Sequence, residues 1–423
     1  MFGRDSRGRA TLGGTAIGEL LAAAGCGTPA YLYDLDGIGD AARKLVRAFG
    51  DAPHLVAYAT KANSAGPVLR RLFAEGCGAY VVSGGELALV LEAGLSPDRV
   101  VFSGVAKRDE EIDRAITVGA RGIYAVQAES IEELSRIAAR ARALGRRARV
   151  SIRVNPGVAI DTHAHVATGH DAAKFGVARG DMPDAFAAVN ASSELALVGL
   201  SSHIGSTQGA IAPYEAAARV LFDLAKSRAG AANALEFIDA GGGFGIDYGS
   251  GCPVGPADFA AALLAAQREA GMNHLRMLVE PGRSLVGPFG VLVASVIQRK
   301  VSRSTGRRWL MIDAGMNDLI RPAMYQARHR IEPLDAAPGG AAVAHRVVGP
   351  ICESSDDFGE HDFEEARAPE HVVVRDAGAY GFTMASNYNA RAVPAEVFVE
   401  KGRVAKVFAR GDLPGWIARR LEG

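Results

Sequence analysis

Between His54 and Gly282 the chain repeats one pattern eight times: a short β-rich run, then an Ala/Leu/Glu/Arg-rich stretch with helical period. The runs are His54–Lys61, Gly78–Ser83, Arg99–Gly104, Gly122–Gln127, Arg149–Asn155, Ala196–Gly205, Phe237–Gly243 and Met277–Gly282. Two architectures accommodate such a repeat, a closed (β/α)8 TIM barrel and a doubly wound open sheet. Eight units in about 230 residues match the roughly 250 that a barrel needs. The ends of the runs favour closure. Lys61, Ser83, Asn155, His203, the Gly241 cluster and Glu280 all fall at C-terminal ends, which a barrel gathers on one face. The intervening helices are readable as well. Ser130-Ile131-Glu132-Glu133-Leu134 opens one with a capping-box pattern, and another is the alanine-rich run from Tyr214 to Ala225.

After Gly287 the pattern changes. Val291–Ile297, Trp309–Ile312, Val343–Val348, His371–Val374 and Ala395–Val399 alternate or are β-branched, with few helical stretches between them. Near the start, a short helix Ile17–Ala24 precedes a strand-like Ala30-Tyr31-Leu32-Tyr33, which is expected to join the later strands. The fold class is therefore α/β, a TIM barrel over residues 36–286 plus a C-terminal β-sandwich or barrel-like domain built from 287–423 and 1–35. At 423 residues the chain exceeds one ordinary core, which agrees with two domains. Pro333–Ala342 is the most loop-like segment.

Composition narrows the function classes. There are 47 basic and 47 acidic residues, so no net charge favours a nucleic-acid or polyanion surface. The basic cluster Arg140, Arg142, Arg146, Arg147 and Arg149 reads as the solvated side of a helix and its exit loop. No 18-residue apolar stretch is present, so no membrane partner is expected. Met1–Gly14 lacks the apolar core of a secretory signal. Cys26, Cys77, Cys252 and Cys352 form neither a CxxC pair nor a zinc spacing, so no metal site is expected and a reducing, cytoplasmic setting is.

Several run ends carry residues suited to chemistry. Lys61 closes the apolar Leu55-Val56-Ala57 run. A buried ammonium is costly unless paired or deprotonated, and a neutral lysine amine attacks carbonyls to form a Schiff base; the plain alternative is a lysine snorkelling out at the strand edge. Gly241-Gly242-Gly243-Phe244-Gly245 lets backbone N–H groups converge on an anion. A phosphate site after strand seven is frequent in barrels, whereas the spacing matches neither a Walker nor a dinucleotide motif. A single-phosphate cofactor fits this cluster, and a tight turn also explains it. Glu280, in Glu280-Pro281-Gly282-Arg283, suits the ring nitrogen of pyridoxal phosphate or, alternatively, a buried ion pair with an arginine. His203, in His203-Ile204-Gly205-Ser206, is either structural or part of the same face. Cys352 and Glu353 sit together in a Gly/Pro turn, where the cysteine is a reactive thiol or a buried hydrophobe. Tyr380 lies in the small-residue turn Asp376-Ala377-Gly378-Ala379-Tyr380-Gly381.

Taken in order, Lys61, His203, the glycine cluster, Glu280-Pro281-Gly282-Arg283, Cys352-Glu353 and Tyr380 resemble the fold-type III pyridoxal-phosphate decarboxylases, the group shared with alanine racemase and ornithine decarboxylase. The strings are most similar to the diaminopimelate decarboxylase family, over nearly the whole chain from about Pro29 to Phe408. The likeness extends to Ser83-Gly84-Gly85-Glu86, Thr162-His163 with Thr168-Gly169, and Lys174-Phe175-Gly176. It also takes in Asp313 to Pro322 with Tyr325, and Ser386-Asn387-Tyr388-Asn389. The resemblance implies pyridoxal 5'-phosphate as cofactor, with Lys61 as the Schiff-base lysine, His203 over the ring and Glu280 at the ring nitrogen. Ser206, Gly243, Gly282, Arg283 and Tyr380 would hold the phosphate or its surroundings. Cys352 would return a proton after carbon dioxide leaves. The implied reaction is decarboxylation of meso-2,6-diaminopimelate to L-lysine, the last step of lysine biosynthesis. The resemblance further implies a homodimer in which Cys352 and Glu353 reach the other subunit's barrel.

The far end of that substrate is an ammonium beside a carboxylate, which calls for a cation and an anion. Arg283 and Arg321 suit the carboxylate through paired hydrogen bonds, with Tyr325 and Tyr380 alongside, and Glu353 suits the ammonium. A substrate with only a distal amine needs the acid alone, so Arg321 favours the zwitterion. The alternative for Arg321 is a surface or interface salt bridge. Three positions depart from the family pattern: Ser202 before His203, Thr207-Gln208 after Ser206, and His165 in Thr162-His163-Ala164-His165. Two other functions remain in view. One is a sister decarboxylase for another amino-carboxylate. The other is a catalytically silent binding protein, against which the intact Lys61, Cys352 and Glu280 argue.

Overall fold

A computed structural model describes residues 1–158, 174–206, 209–228, 235–335, 341–364 and 369–422. Thr162-His163, His165, Thr168-Gly169 and Thr207-Gln208 lie outside the described residues, as do residues 336–340 of the loop-like segment Pro333–Ala342. The chain divides into two compact units. One comprises Ala41–Ile246 and Cys252–Ser284; the other comprises Met1–Asp40, Asp247–Gly251 and Leu285–Gly423.

The first unit is a closed parallel barrel. Its strands are His54–Ala59, Gly78–Val81, Val100–Phe102, Ala125–Ala128, Ala148–Asn155, Leu195–Ser201, Phe237–Gly242 and Arg276–Glu280. Each pairs in parallel with the next, and the eighth returns to the first through Met277↔His54, Leu278↔Leu55 and Val279↔Val56. A doubly wound sheet would leave two free edges, so that final pairing decides between the two expected architectures. All eight expected runs form strands.

Strand periodicity explains why one end of this barrel is polar. Leu55, Ala57, Tyr80, Val101, Ala125, Phe237 and Leu278 come from six different strands and form one buried cluster inside the barrel. Side chains two residues apart share a strand face. Continuing that face toward the C-terminal ends, Phe237 is followed by Asp239 and Leu278 by Glu280. The same inward face therefore passes from apolar to acidic within two residues, near the end where barrel sites form.

The surrounding helices are set by local signals. Ser130 caps the helix Ile131–Ala143 by accepting from the Glu133 N–H at 3.1 Å, as its capping pattern implies. The Glu133 carboxylate reaches back one residue further, to the Glu129 N–H at 2.8 Å. The expected alanine-rich helix runs Ala212–Ser227. Of the basic cluster, Arg142 is solvated and pairs with Glu194 at 2.9 Å, and Arg140 pairs with Asp113. Arg149 departs from the expectation, because it lies in the strand Ala148–Asn155 with its side chain only 12% exposed, paired with Glu236 at 2.7 Å.

In the second unit the strand Gly290–Val301 is the organiser. It pairs antiparallel with Ala30–Asp34, His371–Val374 and Arg308–Ile312. The strand Ala395–Glu400 adds in parallel on the other side of Ala30–Asp34. The N-terminal strand thus sits between two strands from the far end of the chain, as expected. Leu32, Val291, Val293, Val373, Val397 and Val399 form its core together with Ile17 and Leu20 of the helix Ile17–Ala24. Two further strands, Asp357–Glu364 and Arg403–Phe408, carry many exposed or half-exposed residues and lack the apolar alternation that marks the others.

Candidate active site

The barrel unit gathers one group of the expected site residues. Lys61 lies just past the first strand, in the one-turn helix Thr60–Ala62. It is exposed, which of its two readings favours the lysine that snorkels out at the strand edge over the buried ammonium. The reason is local: the strand stops at Ala59, whose N–H donates to the Pro281 carbonyl at 2.9 Å, and the turn carries residue 61 beyond the buried layer. Its charge still acts on the group: burial raises the carboxyls of Glu86 and Glu280, and Lys61 opposes that rise only in part.

Glu280 ends the eighth strand and is 6% exposed, and Asp239 is fully buried on the seventh. Their carboxyl groups hydrogen-bond each other. Burial is the main cause pushing Asp239 up to about 6, with the Gly241 N–H at 3.0 Å pulling the other way. Glu280 is raised as well, by burial and then by the negative charge of Asp239. The two carboxyls together keep a proton that a solvated carboxylate would release. Glu280 Oε1 and Asp239 Oδ2 are buried and accept from no protein N–H or hydroxyl, and a proton held between two such carboxyls supplies the donor.

His203 stands beside this pair. Its Nδ1 lies 3.9 Å from Glu280 Oε2 and accepts the Gly242 N–H at 3.1 Å. An imidazole nitrogen that accepts a hydrogen bond carries no proton. Burial, then the positive charges of Arg153 and Lys61, push His203 well below the usual histidine value. The contact with Glu280 is accordingly that of a neutral ring, not an ion pair.

The glycine cluster is required by space. A Cβ on Gly241 would meet the Ser202 carbonyl oxygen at 2.4 Å, and one on Gly242 would meet that of Glu280 at 2.0 Å. Gly241 and Gly243 also have φ of 76° and 87°, in the left-handed region. Arg283 opens a short helix, Arg283–Val286, and its Nη2 donates to Ser206 Oγ at 3.2 Å. Gly282 is buried beside it.

Sequence reasoning missed the acids and the arginine beneath this group. Arg153 is 6% exposed; it donates to Glu129 at 3.1 Å and to the His203 carbonyl at 3.3 Å, with its guanidinium 4.7 Å from the Phe175 ring. Glu129 also accepts from Ser103 at 2.9 Å and from the Gly176 N–H at 3.0 Å. Charged residues inside otherwise apolar runs were the available signal.

The β-rich unit holds the remaining expected residues. Arg321 and Tyr325 are the first and last residues of one short helix. Arg321 is 4% exposed, so it is not a surface residue. Its Nη1 lies 2.8 Å from His329 Nε2 and its Cζ 5.0 Å from the Tyr248 ring. Cys352 and Glu353 are exposed, so Cys352 is not a buried hydrophobe. Tyr388 donates to Glu353 Oε1 at 2.6 Å, and the Cys352 N–H donates to Asn389 Oδ1 at 3.3 Å. Tyr380 is half-buried with a left-handed φ of 55°. Among the described residues no cluster of His, Cys, Asp or Glu is arranged to hold a metal, and no helix is long and apolar enough to cross a membrane.

A parallel barrel with a neutral histidine, a buried acid pair and a glycine cluster at its strand ends fits the class of barrel enzymes that handle a ring-bearing phosphate ligand. The family described as pyridoxal-dependent decarboxylase, pyridoxal binding domain, matches residues 35–287. Relatives extend the likeness across both units. Diaminopimelate decarboxylase from Zymomonas mobilis is 38% identical over 392 residues, 92% of this chain and 91% of the relative. The structure of diaminopimelate decarboxylase from Helicobacter pylori complexed with L-lysine matches with TM-score 0.86 and 36% identity, over 94% of this chain and 97% of that one. The diaminopimelate decarboxylase from M. jannaschii in co-complex with L-lysine matches with TM-score 0.90 and 32% identity, over 100% and 98%. The chain belongs to the diaminopimelate decarboxylase family of pyridoxal-dependent decarboxylases.

Proposed function

We propose that this chain removes one carboxylate of meso-2,6-diaminopimelate, giving L-lysine and carbon dioxide, with pyridoxal 5'-phosphate as cofactor. The observation that carries the reading is Glu280: a buried acid with a raised proton affinity whose Oε1 has no hydrogen-bond partner among the described residues, at the barrel end that also holds the glycine cluster. Such an acid suits a heterocyclic nitrogen that must stay protonated, so the residues present fit the cofactor.

When bound, the cofactor supplies an electron sink for the pair left behind as carbon dioxide departs. Each residue then has a task set by its surroundings. Lys61 would hold the cofactor through its amine. Glu280 would give its proton to the ring nitrogen, and the negative charge of Asp239 beside it raises the proton affinity of Glu280. His203, being neutral, would line the ring without adding a positive charge. Ser206, Gly243, the backbone at Gly282, Arg283 and Tyr380 hold the phosphate or its surroundings. Arg321, with Arg283, Tyr325 and Tyr380, takes the far carboxylate, and Glu353 takes the far ammonium. Cys352 delivers a proton to the carbon that lost its carboxylate.

The functional division runs as a cofactor-binding domain over 36–286 and a β-domain over 1–35 and 287–423. The active unit is a homodimer in which Cys352 and Glu353 serve the other subunit's barrel, and it works in the cytoplasm. Exposure of Cys352 and Glu353 supports this, since both are available to another surface.

The test is carbon dioxide release and lysine formation from a panel of diaminopimelate, ornithine and arginine, with added pyridoxal phosphate and the visible spectrum recorded. Turnover of diaminopimelate well above the others supports the reading. A preference for ornithine or arginine overturns the substrate, and the absence of a cofactor absorbance band overturns the cofactor.

A further inference from the structure

We infer that His329 is a positioning residue for Arg321, holding its guanidinium in place with a neutral acceptor so that its positive charge stays available to the far carboxylate of the substrate. The inference rests on the proposed role of Arg321. His329 belongs to none of the motifs that pointed to the site.

The protonation state of His329 follows from its two neighbours. Its Nδ1 lies 2.9 Å from the Arg375 carbonyl oxygen, which only accepts, so Nδ1 carries the hydrogen. Its Nε2 lies 2.8 Å from Arg321 Nη1, which only donates, so Nε2 bears the lone pair. Both contacts are met by one neutral tautomer and by no other state of the ring. A proton on Nε2 would set an N–H against the guanidinium N–H in a place where His329 is 3% and Arg321 4% exposed.

The surroundings fix both partners. Tyr248 crosses the His329 ring edge to face, with centroids 5.2 Å apart at 80°, and its own ring lies 5.0 Å from Arg321 Cζ. Gln326, at φ 53°, turns the chain directly after the helix Arg321–Tyr325 and so sends residue 329 back past residue 321. The backbone supporting the Arg375 carbonyl is itself held, since the Arg375 N–H donates to the Arg330 carbonyl at 2.9 Å.

The choice of partner matters for specificity. A carboxylate at this position would grip the guanidinium more strongly, through charge-assisted bonds, but would cancel the charge that a substrate carboxylate seeks. A neutral imidazole orients without cancelling. Substrates with a distal carboxylate gain from this arrangement, and those ending in an amine alone do not. The product keeps the centre that is not decarboxylated, so L-lysine presents the same carboxylate and cadaverine lacks it.

The test uses holoenzyme variants Arg321→Ala, His329→Leu, His329→Gln and His329→Glu. For each, kcat and KM for diaminopimelate are measured, the affinities for L-lysine and cadaverine are measured by calorimetry, and the cofactor spectrum serves as the check on folding. His329→Leu is expected to weaken lysine and raise KM by roughly 10–100-fold, the size of a lost hydrogen bond to a charged group, with kcat little changed. His329→Gln, which keeps an acceptor, should recover most of that loss. His329→Glu should bind lysine as poorly as His329→Leu despite offering the stronger bond. Cadaverine affinity should not move in any of them. If Arg321→Ala weakens lysine but His329→Leu and His329→Glu do not, the inference fails and the role of Arg321 stands. Tight lysine binding by His329→Glu alone overturns the charge argument. If Arg321→Ala itself leaves lysine and KM unchanged, the role of Arg321 falls and the inference with it.

Discussion

The barrel and the β-rich unit reach unusual backbone and side-chain states by different means. Every non-glycine residue with left-handed φ among the described residues lies in the β-rich unit: Gln326, Asp376, Tyr380, Asn389, Ala390 and Lys401. In the barrel unit the same region of φ is occupied by glycine alone, as at Gly205, Gly241 and Gly243. Left-handed backbone costs a residue with a Cβ energy that glycine does not spend. The barrel adds its cost in electrostatics, in the buried Asp239–Glu280 pair and the Arg153–Glu129 pair, whereas the β-rich unit carries both kinds, with Glu396 and Asp318 buried as well. Repeating strands place charge where it is needed without bending the chain, whereas loops must bend to present Cys352, Glu353 and Tyr380.

The largest expected effect tests whether the two regions form one site. Lys61→Ala and Cys352→Ala are each expected to lose nearly all turnover, the first with its cofactor absorbance band and the second while retaining it. If each site draws on both subunits, mixing the two inactive proteins after mild dissociation restores activity that neither has. Mixtures that stay inactive, although subunit exchange is verified, would falsify a shared site.

Next comes the barrel's electrostatic half. Glu280→Gln preserves shape and hydrogen bonding but has no acidic proton to give up to a ring nitrogen. A fall in kcat of roughly 10²–10³-fold is expected, the usual consequence of removing one preorganised electrostatic group. A kcat within a few-fold of the parent would remove Glu280 from the chemistry and leave its burial without a functional account.

The comparison also explains what was legible in the sequence. The eight barrel strands stood out because Val, Ile, Leu and aromatic residues run together in segments such as His54–Ala59 and Arg276–Glu280, bounded by glycine or polar residues. Lys61, His203 and Glu280 followed because period two and the strand ends place them together. Asp239 and Arg153 did not: a charge inside an apolar run signals that a partner exists, but the run does not say which strand supplies it. His329 and Tyr388 were illegible for a related reason: their partners, Arg321, the Arg375 carbonyl and Glu353, are chosen by loop geometry rather than by any local repeat. Asp357–Glu364 escaped notice because a half-exposed edge strand needs no apolar alternation. The choice between a buried and a snorkelling Lys61 stayed open because the expected run His54–Lys61 extends two residues past the end of the strand at Ala59, into a turn.

A smaller effect separates the β-rich unit by pH. Glu396 is 3% exposed in the strand Ala395–Glu400, and burial pushes it up to about 7, with the Tyr33 hydroxyl partly opposing. Its folded value lies above its ordinary value of 4.5. Between these two the folded chain keeps the proton and the unfolded chain releases it. The contribution is therefore full below about 4.5 and is lost as pH rises toward 7. Glu396→Gln mimics the protonated form and should flatten that part of the decline, by a few kcal/mol at most. Asp318, pushed up to about 7 by burial, leaves part of the slope in the variant. Denaturant midpoints at pH 5 and 8 read the difference, and identical slopes in parent and variant would place the Glu396 proton elsewhere.

The smallest effect belongs to the barrel's outer face. Arg142 pairs with Glu194 at 2.9 Å and, through that hydrogen bond first, holds the Glu194 carboxyl down at about 2. The shift is large, but the Arg142 side chain is 68% exposed, and water and salt screen such a pair. Arg142→Ala should leave the melting temperature and turnover unchanged within error at physiological salt. A clear loss of stability would mean that helix Ile131–Ala143 is anchored by this bridge rather than by its buried face of Leu134, Ile137, Ala138 and Ala141. That outcome would also weaken the contrast drawn above, because surface ion pairs would then do for the barrel what buried ones are argued to do. The expected null result locates the barrel's electrostatic cost in its interior, where Asp239, Glu280, Arg153 and Glu129 have no water to compete with.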